Sequence, residues 1–255
     1  MSFDPTAVPD VVAAWRRHNG ALADVVRAAD PDTPVATCPE WTLRQLARHV
    51  GRGDRWAATM VARKVDAPID PRSVPDGKPP GDGEAAAPWL TAGVDLLVEA
   101  VADVGPDTPI WTFTGPQPAA WWLRRRLHEA LVHSADAAMA VGAPFEVAPE
   151  VAADGVSEWL TLVAARPPAE QPLLPGRATM HLHATDEGLG AAGEWTVRPD
   201  GDRVVWGPGH AKGSVAVRGP AADLLLVLTR RLPADRVTLF GDAAVLDTWL
   251  ARTDF

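Results

Sequence analysis

In the first part of the chain, apolar residues recur with a helical period. They fall at Val8, Val11, Val12, Trp15, Leu22, Val25 and Val26 within Val8 to Ala29, and Asp30-Pro31-Asp32 ends the run, which predicts a first helix there. The second helix has a marked start. Thr42 and Gln45 have the spacing of a capping box, and Trp41 and Leu46 occupy the two positions of a hydrophobic staple. It runs to about Lys64 with Leu43, Leu46, Val50 and Met60 as its stripe, and His49 and Trp56, seven apart, lie along one edge. A loop rich in Pro and Gly follows from Ala67 to about Glu84. A third helix then reads Trp89, Leu90, Val94, Leu97, Val101 and Val104 and stops at Gly105-Pro106. The fourth begins after Gly115-Pro116-Gln117-Pro118 and reaches Val141, with Gly142 placed for a C-cap. Four helices with a long crossover predict a bundle, a framework that builds metal sites from side chains on facing helices.

After Pro144 the pattern changes. One more helix spans Glu150 to Ala165, and Arg166 to Gly176 reads as a linker-like stretch. Alternation then predicts strands at Thr179 to Ala184, at Glu194 to Val197 and Arg203 to Trp206 around the turn Pro199-Asp200-Gly201-Asp202, and at Gly213 to Arg218. Pro220 opens a helix through Leu228, Val237 to Phe240 is a strand, and Asp242 to Ala251 is a closing helix. The fold class is α+β: a helical bundle over residues 1–145, then a small domain over 146–255 with an antiparallel sheet covered by helices.

The candidate chemistry sits on the second and fourth helices. Glu129 and His133 are four residues apart, so one helical turn sets them about 5 to 6 Å apart on one face. His49 from a facing helix completes a three-ligand set, and three protein ligands with an open position is the arrangement of a catalytic zinc. Asp136, seven residues after Glu129, shares that face and can orient a ligand His as a supporting carboxylate. His128 is excluded, because five-residue spacing sets it about 140° from His133 around the helix. His181 and His183 form a rival pair on one face of a strand, read here as its polar face. Gly51-Arg52-Gly53 lacks the third glycine of a dinucleotide loop, Arg52-Gly53-Asp54 is a chance tripeptide within a helix, and Cys38 is expected to pack against Trp41.

Composition narrows the class. A net charge of −9 with only three lysines argues against nucleic acid as a partner, since neutralising phosphate needs a basic patch. No apolar run approaches the ~20 residues that span a bilayer, and MSFDPTAVPD lacks the regions of a signal peptide. A single cysteine fits a reducing compartment, so the chain is expected in the cytoplasm. Arg outnumbers Lys 21 to 3 and Tyr is absent, a bias expected of a GC-rich genome.

The stretches TCPEWTLRQLARHV and LHEALVHSADAAMAVG, with Glu, His and Asp in E-x-x-x-H-x-x-D order, resemble the mycothiol-dependent maleylpyruvate isomerase family. HLHATD, VRGPAADLLLVLTRRLP and GDAAVLDTWLARTDF resemble its C-terminal part, so the likeness covers nearly the whole chain. It implies a DinB-like four-helix bundle, then a small α/β domain of the sterol-carrier type, in an actinobacterial protein. The metal ligands it implies fall on His49, Glu129 and His133, with a divalent metal such as zinc and mycothiol as cofactors. An arginine implicated in activity falls on Arg231, with Arg230 as the alternative register. The implied activity is cis-trans isomerisation of a small-molecule substrate by thiol addition and elimination, or a related mycothiol S-transfer. A non-catalytic metal- or thiol-binding protein and a thiol-independent zinc hydrolase are the alternatives.

Overall fold

The computed structural model describes residues 10–168 and 170–253, in two compact units that divide between Glu146 and Val147. The predicted start of the first helix at Val8, and the N-terminal stretch through Pro9, lie outside the described residues. So does Ala169 within the linker-like stretch.

In the first unit, helix α1 (Val11–Ala28) is capped by Asp10, whose carboxylate accepts the Ala13 N–H at 2.8 Å. Helix α2 (Leu43–Ala62) starts at the expected capping box, with the Gln45 side chain accepting the Thr42 N–H at 2.8 Å. Helices α3 (Ala86–Val104) and α4 (Trp121–Val141) complete the bundle. Helix α1 packs on α3 and α4, and α2 on the same two. The core between them is built from the stripes seen in the sequence, with Trp15, Leu22, Leu43, Leu46, Met60, Leu90 and Leu97 fully buried. Two features carried no periodic signal. Strands β1 (Pro109–Ile110) and β2 (Gln117–Pro118) form a two-residue ladder ahead of α4, too short for alternation to reveal. The crossover after α2 is pinned to the bundle: Trp56 Nε1 donates to Ile69 O at 2.8 Å, Arg52 Nε to Gly77 O at 2.9 Å, and Trp89 Nε1 to Asp76 O at 2.8 Å.

The Gly51 to Gly53 stretch has a packing explanation. A glycine inside a helix costs about 1 kcal/mol relative to alanine. A Cβ on Gly53 would lie 2.8 Å from the Arg126 guanidinium, and one on Gly51 would lie 2.2 Å from the Trp89 ring. The missing methyl at Gly53 lets Arg126 reach Asp54, whose Oδ1 accepts from Arg126 Nε at 2.7 Å. Asn19 donates to the other Asp54 oxygen at 3.1 Å. That buried cluster ties α1, α2 and α4 together.

The second unit begins with helix α5 (Pro149–Ala165) and has a five-stranded sheet in the order β5-β4-β3-β6-β7. The strands are β3 (Met180–Ala184), β4 (Glu194–Asp200), β5 (Arg203–Pro208), β6 (Val215–Gly219) and β7 (Thr238–Gly241). Helices α6 (Ala221–Leu228) and α7 (Ala243–Arg252) follow β6 and β7. Three of the four pairings are antiparallel as expected, and β3 pairs with β6 in parallel, so the sheet is mixed. The register explains this. The end of β5 lies opposite Trp195, while the start of β6 lies opposite Met180, so residues 209–214 must cross β4 and β3 before β6 can begin. Met180, Leu182, Trp195 and Val197 are buried on the core face, where Trp195 Nε1 donates to Ser157 Oγ of α5 at 2.8 Å. No helix among the described residues is long and apolar enough to cross a membrane.

Candidate metal centre

Helices α2 and α4 bring His49, Glu129 and His133 together, with one ligand atom from each lying within 4.8 Å of the others. His49 Nε2 is 2.8 Å from Glu129 Oε1, and His133 Nε2 is 3.5 Å from the same oxygen. The two imidazoles meet edge to face, with ring centroids 5.0 Å apart. The four-residue spacing on α4 therefore does what helical geometry predicts, and α2 supplies the third group from across the bundle. His128 is buried on α4 and does not join the cluster, as its spacing required.

The surroundings hold these groups in place. Asp136 Oδ2 is 2.8 Å from His133 Nδ1, the support expected of a carboxylate behind a metal-ligating histidine. Arg125 forms an ion pair with Glu129 Oε2, and Arg126 Nη1 stands 3.8 Å from Oε1. Burial pushes the Glu129 pKa up, but Arg125, bonds to His133 and His49, and Arg126 together outweigh it and hold the carboxyl well below its ordinary value. The group is an anion at neutral pH, as a ligand must be. His133 is raised to about 10: burial opposes the rise, and bonds to Asp136, Cys38 and Glu129 prevail. A ligand imidazole must shed its proton, so any metal held here would be taken up with proton release and bound less well in acid. His49 moves the other way, lowered by desolvation against its bond to Glu129.

Cys38 is closer to the chemistry than packing against Trp41 implied. Its thiol donates to Asp136 Oδ2 at 3.4 Å, the same oxygen that holds His133. Trp41 also does more than staple the helix, since its ring lies 4.8 Å from that of His49 and 6.2 Å from that of His133.

A cleft of about 370 Å³ opens onto the cluster, with His49 and Glu129 in its wall. Arg48, Arg52, Arg125 and Arg126 line it, with Arg125 paired to Glu129 and Arg126 to Asp54, and Trp56, Phe113 and Trp122 form an aromatic side. The edge shared by His49 and Trp56 was visible in the sequence, whereas the arginines were not singled out. Spacing held the signal: Arg52 is one turn from His49 and Arg125 one turn from Glu129. Phe113 could not have been found that way, because it sits in the turn between β1 and β2. Its neighbours Trp56, Trp111, Trp121 and Trp122 all lie with ring centroids within 6.4 Å.

Two imidazoles and one carboxylate suit zinc and similar divalent metals, and placing two of the three in a cleft wall leaves room for an open position. The residues fit such an ion. Arg231 belongs to the second unit, past α6, where it is half-buried and its Nη1 donates to Thr229 O at 2.7 Å. Arg230 beside it is exposed, with φ of 62°.

Residues 11–138 match the mycothiol maleylpyruvate isomerase N-terminal domain, and residues 150–248 match the C-terminal domain of the same family. Two uncharacterised proteins of Mycobacterium tuberculosis, from strains CDC 1551 and H37Rv, are each 29% identical over 157 residues, which span 60% of this chain and 80% of theirs. Among solved structures, the mycothiol-dependent maleylpyruvate isomerase superposes with a TM-score of 0.57 at 17% identity, covering 90% of this chain and 91% of that one. A histidine-to-alanine mutant of that enzyme gives the same TM-score at 15% identity, again with 90% of this chain and 91% of that one covered. These structural likenesses speak to the fold, and the two domain matches decide the rest: the chain belongs to the mycothiol-dependent maleylpyruvate isomerase family.

Proposed function

We propose that this protein is a mycothiol-dependent metalloenzyme that isomerises maleylpyruvate or a similar small cis-enoate acid, or transfers mycothiol to a related electrophile. The observation that carries this reading is the gathering of His49, Glu129 and His133 beside a cleft lined by four arginines. A bound divalent ion of zinc's character supplies Lewis acidity there, lowering a thiol pKa or offsetting negative charge on a carbonyl oxygen.

The chain's own residues do the rest. Arg48 and Arg52, on the cleft wall, hold substrate carboxylate by charge-assisted hydrogen bonds. Arg125 and Arg126 keep Glu129 ionised, and Asp136 keeps His133 turned toward the cluster. The aromatic side excludes water from the reacting atoms. Mycothiol, when bound, would supply a thiolate able to add to the cis double bond and to leave again after rotation about the resulting single bond. Arg231, in the second unit, is the proposed catalytic arginine that the family resemblance implies.

Isomerisation of maleylpyruvate and S-conjugation of a panel of electrophiles, each with and without added mycothiol, test this reading. Turnover is expected only with mycothiol present, to persist in Cys38→Ser, and to vanish in His133→Ala along with the metal. Turnover by the wild type without any thiol would support a hydrolase instead, and loss of activity in Cys38→Ser would make that thiol the nucleophile. Metal bound with no turnover under any condition would favour a binding protein.

A further inference from the structure

The sheet of the second unit gathers a different set of donors. His181 and His183 share one face of β3, Glu194 lies directly across from His183 on β4, and His210 comes from the crossing segment 209–214. One donor atom from each of these four side chains lies within 4.8 Å of the others. His181 Nε2 and His210 Nδ1 both address Glu194 Oε2, at 2.9 and 2.7 Å. The His181 ring has those of His210 and His183 at 4.7 and 6.0 Å.

A merely polar strand face points its side chains into solvent, and these converge. The cause is the crossing segment. Residues 209–214 pass over the side of the sheet away from the core, and both ends of the segment are fixed. Gly209 N donates to Glu194 O at 2.9 Å. At the other end, Ser214 N donates to Thr179 O at 2.8 Å, and Thr179 N to Ser214 Oγ at 3.1 Å. Gly213 lies so close to β3 that a Cβ there would sit 2.9 Å from His181 N. The segment covers His181, which is only 4% exposed, and carries His210 in above it.

We propose that this face holds a second divalent metal site, formed by His181, His183, Glu194 and His210. Three imidazoles and one carboxylate are the donor set of zinc and the neighbouring first-row metals. Ligands about 2.0 to 2.1 Å from zinc stand roughly 3.3 Å apart at tetrahedral corners, a spacing that the separations here bracket. Four protein ligands make a closed site, so its role is structural: the ion clasps segment 209–214 to β3 and β4. The proposal is independent of the reading of the helical cluster, because every residue in it lies in the second unit.

Zinc alone is the probe, measured by equilibrium dialysis and metal analysis on the full chain. A His49→Ala/His133→Ala variant removes the helical ligands and is expected to retain one equivalent of zinc, with a zinc-dependent rise in melting temperature. Adding His183→Ala and His210→Ala should abolish both, and Glu194→Gln, which preserves the side chain's shape, should weaken retention at least tenfold. His210 is an exposed side chain, 73% accessible, so its loss leaves the core untouched, and circular dichroism checks the fold of each variant. No zinc in the first variant, or zinc that survives removal of His183 and His210, would overturn the proposal.

Discussion

The helical cluster and the sheet cluster collect nearly the same side chains by two different periods. On α4 a four-residue step aligns Glu129 with His133, and on β3 a two-residue step aligns His181 with His183. In each case the remaining donors come from elsewhere in the chain, and how they arrive sets the character of the site. His49 arrives on a rigid helix beside a cleft, so the cluster has three donors and an open side. His210 arrives on a segment lying over the sheet, so that cluster has four donors and a lid. The difference also shows in what stands behind the donors. Around Glu129 and His133 are Arg125, Arg126, Asp136 and Asp54, a charged scaffold within the bundle. Around His181 the support is backbone: the ladder to β4 and the bonds that pin Ser214 and Gly209.

If the helical cluster depends on its buried charges, removing one should damage the bundle and spare the sheet. Asp54→Ala strands the Arg126 guanidinium and is expected to cost about 3–5 kcal/mol. Urea denaturation with hydrogen exchange resolved by segment would show protection lost from α1, α2 and α4 and retained in β3 to β6. Equal loss in both units would break the distinction.

Acid should discriminate next. His18, buried on α1, has its pKa lowered to about 4, first by burial and then by Arg17 and His128. The unfolded chain protonates near 6.5, so the unfolded state takes up the proton first. Stability from this group is therefore complete above about pH 6.5 and is lost as pH falls toward 4, a change on the order of 3 kcal/mol. His18→Gln should flatten the pH dependence of bundle stability across that window. A slope unchanged by the substitution would remove His18 as its source.

The smallest effect sharpens the contrast in donor support. Asp136→Asn removes the charge behind His133 and is expected to weaken metal binding at the helical cluster by 10–100-fold. Chelator competition measures it, and the zinc equivalent assigned to the sheet should be unaffected.

Helix order, the capping box at Thr42 and Gln45, and the shared face of Glu129 and His133 were legible because each follows from a spacing within one element. What the sequence concealed came from contacts between elements. Nothing local says that Gly53 exists to admit Arg126, that Cys38 shares an oxygen with His133, or that Phe113 turns toward Trp56. The parallel pairing of β3 with β6 was hidden for the same reason: alternation identifies a strand without its neighbours or direction. The step of His181 and His183 matches that of a polar strand face, and the residue that changes this, His210, lies in a segment with no periodicity.

The crossing of residues 209–214 also bears on the order in which the second unit assembles. Strands β4 and β5 are joined by a tight turn and can pair locally within microseconds, whereas β6 must find β3 across 35 positions of chain after the segment has folded over the sheet. Strand β6 is therefore the late strand, and β3, once paired with the β4–β5 hairpin, is the template on which it docks. Pulse-labelled hydrogen exchange during refolding should protect Trp195 to Arg198 before Val215 to Arg218. Until β6 docks, the edge of β3 stands open, and the interval between the two events is when this half of the protein is most exposed to pairing with a strand from another chain.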